Sequence, residues 1–232
     1  MDLSRLEYLV GKDAIKTLKK KHVLICGVGG VGSFVAEGLA RSGVGKITIL
    51  DYDVIDSSNL NRQLMTNKNN IGLNKCDELK KHLEEISDCK VTIINKFIDD
   101  KFKITRKYDY IVDCVDTLTS KFILVKQADE KKIPIICALG SANRIDVENI
   151  KLATLDKTKN DPLAKAFRNL VKKENFKKKI EVVYVDTVPI KVNVKKQGNT
   201  NKEKYPLGSS IFVVGSVGLY ISSIVFKRLI KE

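Results

Sequence analysis

Short apolar runs and helical periodicities follow one another along this chain. Runs rich in Val, Ile and Leu predict strands at Val23–Cys26, Ile47–Leu50, Lys90–Phe97, Tyr108–Val112 and Ile133–Ala138. Apolar residues three and four positions apart predict helices between those runs, at 3–20, Val31–Ala40, Leu73–Ile86 and Ser120–Lys131. Strands that alternate with helices indicate an α/β fold, with a mostly parallel, Rossmann-like sheet and helices on both faces. Such sheets bind ligands at the carboxyl ends of their strands.

The second half of the chain is more polar. Its pattern predicts strands at Val147–Ala153 and Ile180–Val185, a basic helix at Pro162–Lys173 and a closing helix at Ser210–Leu229. Asp186–Tyr205 is rich in Lys and Asn, which predicts a mobile loop. The closing helix holds the most apolar run, Ile211–Phe226, which at about 16 residues is shorter than the roughly 20 that a bilayer span needs. We therefore expect a core helix and no membrane insertion.

The amino-acid composition bears on the possible partners of the protein and on the compartment in which we expect it. The formal net charge is +14 and the pI is about 9.5. Such a surface attracts polyanions, so nucleic acid is a candidate partner, although a merely solvated Lys-rich surface would give the same number. Five cysteines without a CxxC pair argue against a disulfide framework and against a zinc site. The start of the chain lacks the apolar core of a signal peptide, so we expect a cytoplasmic protein.

A glycine-rich turn follows the first predicted strand, with the sequence GVGGVG at 27–32. Its glycines permit a tight turn and let backbone N–H groups approach a phosphate at a helix N-terminus. The turn by itself fits a dinucleotide site, a mononucleotide site or a turn without a ligand. Asp51, about 20 residues further on, is placed to accept hydrogen bonds from ribose hydroxyls, which still fits a nicotinamide-dependent oxidoreductase.

The residues after Asp51 favour ATP over a nicotinamide cofactor. The segment DYDVIDSSNLNRQ at 51–63 places acids, an Asn, an Arg and a Gln in one loop above the sheet. The guanidinium of Arg62 is suited to pairing with phosphate oxygens, and Lys75 adds a second cation. A triphosphate requires such cations, whereas a nicotinamide site does not.

Together these motifs resemble the ubiquitin-activating-enzyme-like superfamily that includes the ThiF proteins, whose bacterial members adenylylate carboxylates with ATP and magnesium. The resemblance rests on GVGGVG at 27–32, DYDV at 51–54, SNLNRQ at 58–63, GLNK at 72–75 and DCVD at 113–116. It implies ATP contacts from Gly27, Gly29, Gly30, Gly32, Asp51, Asp53, Ser58, Asn59, Arg62, Gln63, Lys75, Asp116 and Thr117. In this scheme Gly30 approaches the phosphates, Asp51 holds the ribose and Asp116 coordinates magnesium.

The resemblance also implies catalytic residues and an assembly. Arg62, Lys75 and Asp116 are expected to be catalytic. Arg5 matches an arginine of the family that reaches into the active site of the partner subunit. The resemblance therefore implies a homodimer in which each subunit completes the site of the other.

The second half is similar to the tRNA threonylcarbamoyladenosine dehydratases. The similarity rests on GSANRID at 140–146, LDKTKNDPLAKAFRNLVKK at 155–173 and GSSIFVVGSVG at 208–218. It implies ATP-dependent cyclisation of the threonylcarbamoyl group on an adenosine beside the tRNA anticodon, by a ligase-type cyclase that works through an acyl-adenylate. We expect tRNA contacts from the basic segments 162–179 and 191–204, and in particular from Arg144, Lys157, Arg168, Lys172 and Lys173.

We expect one adenylylation domain over 1–232, with a nucleotide-binding core at 22–150 and a substrate-side extension with the closing helix at 151–232. The expected cofactors are ATP and Mg²⁺, without zinc, while a monovalent cation and an accessory sulfur-transfer protein stay open. No cysteine follows Cys137, so no thiol of that half can form a thioester.

Three other functions stay open at this point. The first is activation of the C-terminus of a ubiquitin-like sulfur-carrier protein, which uses the same chemistry. The second is a nicotinamide-dependent oxidoreductase. The third is a non-catalytic nucleotide-binding or RNA-binding module, which would have no need of Arg62, Lys75 and Asp116 together.

Overall fold

A twisted sheet with helices on both faces forms the core of the protein. The computed structural model describes residues 1–192 and 207–231. In these residues the strands are β1 (His22–Cys26), β2 (Lys46–Leu50), β3 (Lys90–Ile94), β4 (Tyr110–Asp113), β5 (Ile135–Ala138), β6 (Ile150–Thr154) and β7 (Glu181–Val185). Their order across the sheet is β3-β2-β1-β4-β5-β7-β6. Every neighbouring pair of strands is parallel except β6 and β7. The predicted α/β fold with a mostly parallel sheet is therefore confirmed.

The helices pack on this sheet and cover its apolar side chains. They are α1 (Ser4–Val10), α2 (Lys12–Leu18), α3 (Gly32–Arg41), α4 (Lys75–Ile86), α5 (Leu118–Glu130), α6 (Pro162–Lys173) and α7 (Ile211–Leu229). Short 3-10 turns lie at Ser57–Asn59 and Leu155–Lys157. The inner strands β1 and β4 are buried almost throughout because helices cover both of their faces.

Two element boundaries differ from the sequence prediction in ways that matter for the site. The strand predicted over Lys90–Phe97 ends at Ile94, since Lys96 and Phe97 leave the sheet and line the cavity described below. The helix predicted from Ser120 begins at Leu118, directly after the acidic loop that ends β4. The apolar pattern of the strand continues beyond its last hydrogen-bonded residue, whereas the helix begins two residues before the predicted start, so periodicity alone misplaced both boundaries.

The second half of the chain extends the same sheet. β7 lies parallel to β5, and β6 forms the antiparallel edge beside β7. The proposed boundary at 150 between a nucleotide-binding core and an extension stays a prediction. Of the loop predicted over Asp186–Tyr205, residues 193–205 lie outside the described part of the chain, and so does most of the basic segment 191–204.

The closing helix α7 is by length and composition apolar enough to cross a membrane, and half of its most apolar stretch is buried. It packs along α3 through small residues. A Cβ built on Gly38 would lie 2.4 Å from Ser222 Oγ, and one built on Gly218 would lie 2.6 Å from the Val31 carbonyl oxygen. These distances leave no room for a side chain, so α3 and α7 approach each other closely, as the prediction of a core helix requires.

Substituting Gly218→Val should destabilise the fold, since the new side chain would force α7 away from the backbone of α3. We expect a loss of about 1–3 kcal/mol in the free energy of unfolding, measured by urea denaturation. Ser223→Ala on the exposed side of α7 is the matched control and should change that free energy by no more than about 0.5 kcal/mol. Equal stability of the two variants would contradict the close packing described here.

Candidate active site

A cavity of about 650 Å³ opens at the carboxyl edge of the sheet. Its walls come from the segments that follow β1, β2, β3, β4 and β5, and from the start of α6 and α7. Of the residues predicted for the site, it is lined by Gly27, Gly29, Gly30, Asp51, Asp53, Asn59, Arg62, Gln63, Lys75, Asp116, Thr117 and Arg144. The cavity has the size of a site for a nucleotide or similar small molecule.

The glycine turn after β1 forms the floor of the cavity. Gly27 has a φ of 81°, and a Cβ on this residue would lie 2.8 Å from the backbone carbonyl of Cys114. In the described part of the chain, the N–H groups of Gly29 and Gly30 have no acceptor, and both residues line the cavity. Backbone donors at the start of a helix are suited to a phosphate.

Asp51 braces this turn through its carboxylate. Its Oδ2 accepts from the backbone N–H of Val28 at 2.8 Å, and its Oδ1 accepts from Tyr52 at 2.8 Å and Asp53 at 3.0 Å. The sequence predicted only a ribose contact for Asp51. The structure adds that the residue holds the end of β2 to the glycine turn, with acceptor capacity left on Oδ2.

Two cations flank the glycine turn. Arg62 is half-buried and donates through Nη1 to the Ser58 carbonyl at 2.7 Å and to Asn61 Oδ1 at 2.9 Å. The buried Lys75 donates from Nζ to Asp53 Oδ2 at 2.8 Å, and the Asp53 side chain remains 46% exposed. The arrangement places positive charge where a polyphosphate on the glycine turn would need it.

Two amides complete this wall. Asn59 is buried and accepts through Oδ1 from the N–H of Asp56, which closes a capping box around the 3-10 turn. Gln63 is also buried, and its Oε1 has no hydrogen-bond partner among the described residues. A buried acceptor without a partner is costly, so it points to an occupant with a hydrogen-bond donor.

Asp116 ends the acidic segment after β4 and lies exposed at the cavity, next to Thr117. Among the described residues, no group of three or more His, Cys, Asp or Glu side chains could hold a metal ion. Magnesium in nucleotide sites is bound by one or two carboxylates together with phosphate oxygens and water. A single exposed carboxylate beside a phosphate turn is suited to that kind of site.

A fully buried ion pair lies beneath the cavity. Lys121 Nζ is 2.8 Å from Asp113 Oδ2, and neither side chain is exposed. Burial opposes the charged form of Lys121, but the Asp113 carboxylate holds the pKa of this lysine above its usual value. Removing one partner of such a pair leaves an uncompensated buried charge, so the pair fixes α5 to the end of β4.

The cysteines are poor nucleophiles. Cys114 lines the cavity, but burial and the nearby Asp113 raise the pKa of its thiol. Burial also raises the pKa of Cys76 and of Cys89 to about 12. Because the thiolate is the reactive form, none of these thiols is activated for catalysis.

Several lining residues were not predicted from the sequence. Tyr52 and Phe97 meet edge to face at one end of the cavity, with ring centroids 5.0 Å apart, next to Lys96 and Ile98. Tyr52 lies inside the DYDV motif, which could have indicated it. Phe97 had no such signal because it was assigned to a strand.

At the opposite end the cavity is lined by residues of the loop after β5 and of the start of α6. Asp161 caps α6 by accepting from Leu163 and Ala164, and its Oδ2 accepts from Gly140 at 2.9 Å. An Asp followed by Pro at a helix start is a recognisable N-cap signal. That signal locates the helix but does not reveal that its start lines a cavity.

Other predicted site residues do not line the cavity. Gly32 is buried in the first turn of α3, where a Cβ would lie 1.8 Å from the Gly27 carbonyl oxygen, so this position has no room for a side chain. Ser58 is exposed and contributes its backbone carbonyl to Arg62. The ATP contacts expected of Gly32 and Ser58 stay predictions. Arg5 is exposed on α1 and does not line the cavity of its own chain.

The predicted tRNA contacts fall into two groups. Lys157, Lys172 and Lys173 are exposed, as phosphate contacts require. Arg168 is half-buried and donates to the carbonyls of Leu155 and Thr158 and to the Thr158 hydroxyl. Those contacts favour a structural role for Arg168 and weigh against the expected tRNA contact.

Arg144, which was also expected to contact tRNA, is buried in the wall of the cavity. Only 4% of the residue is exposed, and its guanidinium donates to the carbonyls of Ala142, Asn160 and Thr187. It is therefore hidden from a tRNA backbone at the surface, although it lines the cavity.

The chain is similar over its length to proteins of one family. The ThiF family matches residues 3–231. The tRNA threonylcarbamoyladenosine dehydratase of Bacillus subtilis is 38% identical over 240 residues, covering 99% of this chain and 94% of that protein. The one from Haemophilus influenzae is 31% identical over 234 residues, covering 95% and 90%. The crystal structure of the Escherichia coli tRNA N6-threonylcarbamoyladenosine dehydratase in complex with ATP matches with a TM-score of 0.86 at 27% identity, over 99% of this chain and 93% of that chain.

Replacing Lys75 by Met should weaken ATP binding by about tenfold to a hundredfold, because a charge-assisted contact to phosphate would be lost. Isothermal titration calorimetry with ATP measures this. Lys81→Met, an exposed position on the same helix, is the matched control and should bind ATP as the unmodified protein does. Equal ATP affinity of the two variants would show that Lys75 serves only its pair with Asp53.

Proposed function

The chain belongs to the ThiF family, and we propose that it is an ATP-dependent dehydratase that cyclises threonylcarbamoyladenosine in tRNA. The observation that carries this proposal is one cavity with two differently built ends. The floor between these ends combines the glycine turn with Arg62 and Lys75, which suits a triphosphate. One end is lined by Tyr52 and Phe97, and the opposite end, along the loop after β5 and the start of α6, leaves room for the group that ATP activates.

The first chemical step is adenylylation of the threonyl carboxylate. A carboxylate oxygen forms a bond to the α-phosphorus of ATP, and the bond from that phosphorus to the bridging oxygen breaks, which releases pyrophosphate. The N–H groups of Gly29 and Gly30 bind phosphate oxygens, while Arg62 and Lys75 offset the charge that passes to the leaving group. Such a reaction depends mainly on positioning and on charge compensation.

The second step closes a ring within the modification. A nucleophile of the threonylcarbamoyl group attacks the activated carboxyl carbon, and the bond from that carbon to AMP breaks. The net change is the loss of one water from the nucleoside, driven by ATP. No protein nucleophile takes part, which suits cysteines whose pKa values are raised by burial.

The aromatic end of the cavity is suited to the adenine of ATP. Tyr52, Phe97 and Ile98 supply apolar surface there, after β2 and β3, which lie two and three strand positions from β4. Asp51 lies between this surface and the glycine turn, as a ribose contact requires. Asp116 would hold magnesium, which when bound neutralises phosphate charge.

The tRNA would lie across the basic surface beside the cavity. Lys157, Lys172 and Lys173 are exposed and available for phosphates, which fix the register of the RNA while the cavity reads the modified base. A cytoplasmic location follows from such a substrate. An accessory sulfur-transfer protein and a monovalent cation stay predictions.

We also propose a homodimer that is completed by Arg5. On α1, Tyr8 and Leu9 are 80% and 82% exposed, and α7 exposes Phe212 and Leu219. Exposed apolar side chains of this size favour burial against another protein surface. Because Arg5 does not line the cavity of its own chain, it can act there only on a second copy.

The function is tested by incubating the protein with ATP, magnesium and tRNA that carries threonylcarbamoyladenosine, followed by mass analysis of the nucleosides. We expect the nucleoside to lose one water and AMP to form in equal amount. Unmodified tRNA is the control and should give no AMP. An unchanged nucleoside, together with pyrophosphate exchange on a carrier protein ending in Gly-Gly, would instead support the carrier-activating alternative.

The role of Arg5 is tested by mixing two variants. Arg5→Ala and Arg62→Ala should each be nearly inactive, whereas an equimolar mixture should regain about a quarter of wild-type activity, because half of the dimers are mixed and each has one intact site. The variants are mixed under conditions that allow subunit exchange. If the mixture stays inactive while mixed dimers form, Arg5 does not act on the partner.

A further inference from the structure

The segments that line the cavity follow neighbouring strands, so they are arranged in a row along the carboxyl edge of the sheet. From β2 through β1 and β4 to β5 there are three strand spacings, which amount to roughly 14 Å along the carboxyl edge. Asp51 follows β2, the glycine turn follows β1 and Asp116 follows the end of β4. A nucleotide whose adenosine lies near β2 therefore has its α-phosphate near β1 and β4. The loop after β5 is the next segment along this edge, so we place the group that reacts with that phosphate there.

Arg144 lies on that side, in the loop after β5. A guanidinium has five N–H donors, and three of them are used by the carbonyls of Thr187 at 3.3 Å, Ala142 at 3.0 Å and Asn160 at 2.9 Å. These acceptors are neutral. Among residues 1–192 and 207–231, no carboxylate forms an ion pair with Arg144. Arg144 is buried and lines the cavity.

The acid that acts electrostatically on Arg144 is Asp161. Its two oxygens already accept from the N–H groups of Leu163, Ala164 and Gly140. Asp161 therefore reduces the unfavourable effect of the buried Arg144 charge, although the two side chains form no ion pair. A buried cation without an ion-pair partner is unfavourable, so its position in a cavity wall points to an anionic occupant.

We propose that Arg144 binds the carboxylate of the threonylcarbamoyl group and directs it at the α-phosphorus of ATP. The inference rests on the proposed function and names the residue that recognises the carboxylate of the substrate. Two N–H donors of Arg144 remain for a carboxylate, which a guanidinium can bind with both oxygens. Fixing the reacting carboxylate in this way supplies the positioning that adenylylation needs.

Two other anions fit Arg144 less well. The β- and γ-phosphates of ATP already have Arg62 and Lys75 on the opposite side of the glycine turn. The tRNA backbone is too large to reach a residue that is buried in the cavity wall, while exposed lysines are available to it. The flexible threonyl group can enter the cavity and present a single carboxylate.

The test uses three versions of one anticodon stem-loop RNA, with threonylcarbamoyladenosine, with its methyl ester, or with plain adenosine. Binding is measured by fluorescence anisotropy with a non-hydrolysable ATP analogue present. The wild-type protein should bind the acid about tenfold or more tightly than the ester, since a charged hydrogen-bonded contact is lost in the ester. Arg144→Gln should bring the two affinities together, with ATP binding unchanged.

A matched variant separates this role from phosphate binding. The double variant Lys172→Gln/Lys173→Gln should weaken binding of all three RNAs by one common factor and keep the preference for the acid. If the wild-type protein does not distinguish acid from ester, or if Arg144→Gln keeps the preference, the assignment of Arg144 is wrong. The proposed function is judged independently, by the loss of water in the wild-type reaction.

Arg144 also holds three loops together, so folding is monitored by circular dichroism. If Arg144→Gln does not fold, Arg144→Lys decides the matter, because lysine keeps the charge and loses the two-pronged geometry. We expect Arg144→Lys to lower the acid-to-ester ratio while affinity for the adenosine RNA stays at the wild-type value. An equal loss for all three RNAs would indicate a structural role alone and would overturn the proposal.

Discussion

The close approach between the glycine turn and the backbone around it determines the geometry of the site. Any side chain on Gly27 would collide with the carbonyl of Cys114, and any side chain on Gly32 would collide with the carbonyl of Gly27. Only because both lack a Cβ can α3 begin directly above the ends of β1 and β4. This brings unpaired N–H groups to the floor of the cavity. It also brings α7 close enough for Val214 to lie against Gly30, with 3.1 Å between Val214 Cγ2 and a Cβ built on Gly30.

Charge is distributed unevenly around this turn. Below it, Asp113 and Lys121 neutralise each other in a fully buried pair that holds α5 to the sheet. On one side, Lys75 pairs with Asp53, which is partly exposed to solvent, so the positive charge of Lys75 stays available to a ligand. On the far side, Arg144 contacts only neutral carbonyls. The positive charge that is not neutralised internally faces the cavity from two directions, which suits a reaction between two anions.

A reaction between a carboxylate and a triphosphate has to overcome their mutual repulsion. Separate cations for each reactant, on opposite sides of one phosphate turn, reduce that repulsion and keep the reactants in line. The raised pKa of the Cys114 thiol removes a competing nucleophile from the same space. The protein therefore acts by placing charges, and the substrate supplies both nucleophiles.

The sequence by itself determined the fold class and the phosphate end of the site. The spacing of apolar residues located the strands and helices, because burying one face of a helix or a strand requires apolar residues at regular short intervals along the chain. The glycine turn, Asp51, Arg62 and Lys75 lie within residues 27–75, and the spacing of Asp51, the charge of Arg62 and Lys75 and the resemblance of the motifs indicated that they act together.

Only the tertiary structure decided the rest. Phe97 lies outside its predicted strand and packs against Tyr52, and Arg144, which was expected to contact tRNA, is a buried cation in the cavity wall. The structure also shows that the Ser58 carbonyl accepts from Arg62 and that Gly32 has no room for a side chain. The physical reason is that burial and ion pairing depend on which distant segments meet. Whether an arginine faces a tRNA backbone or a cavity is set by the packing of β5, α6 and the segment after β7, and no local pattern encodes it.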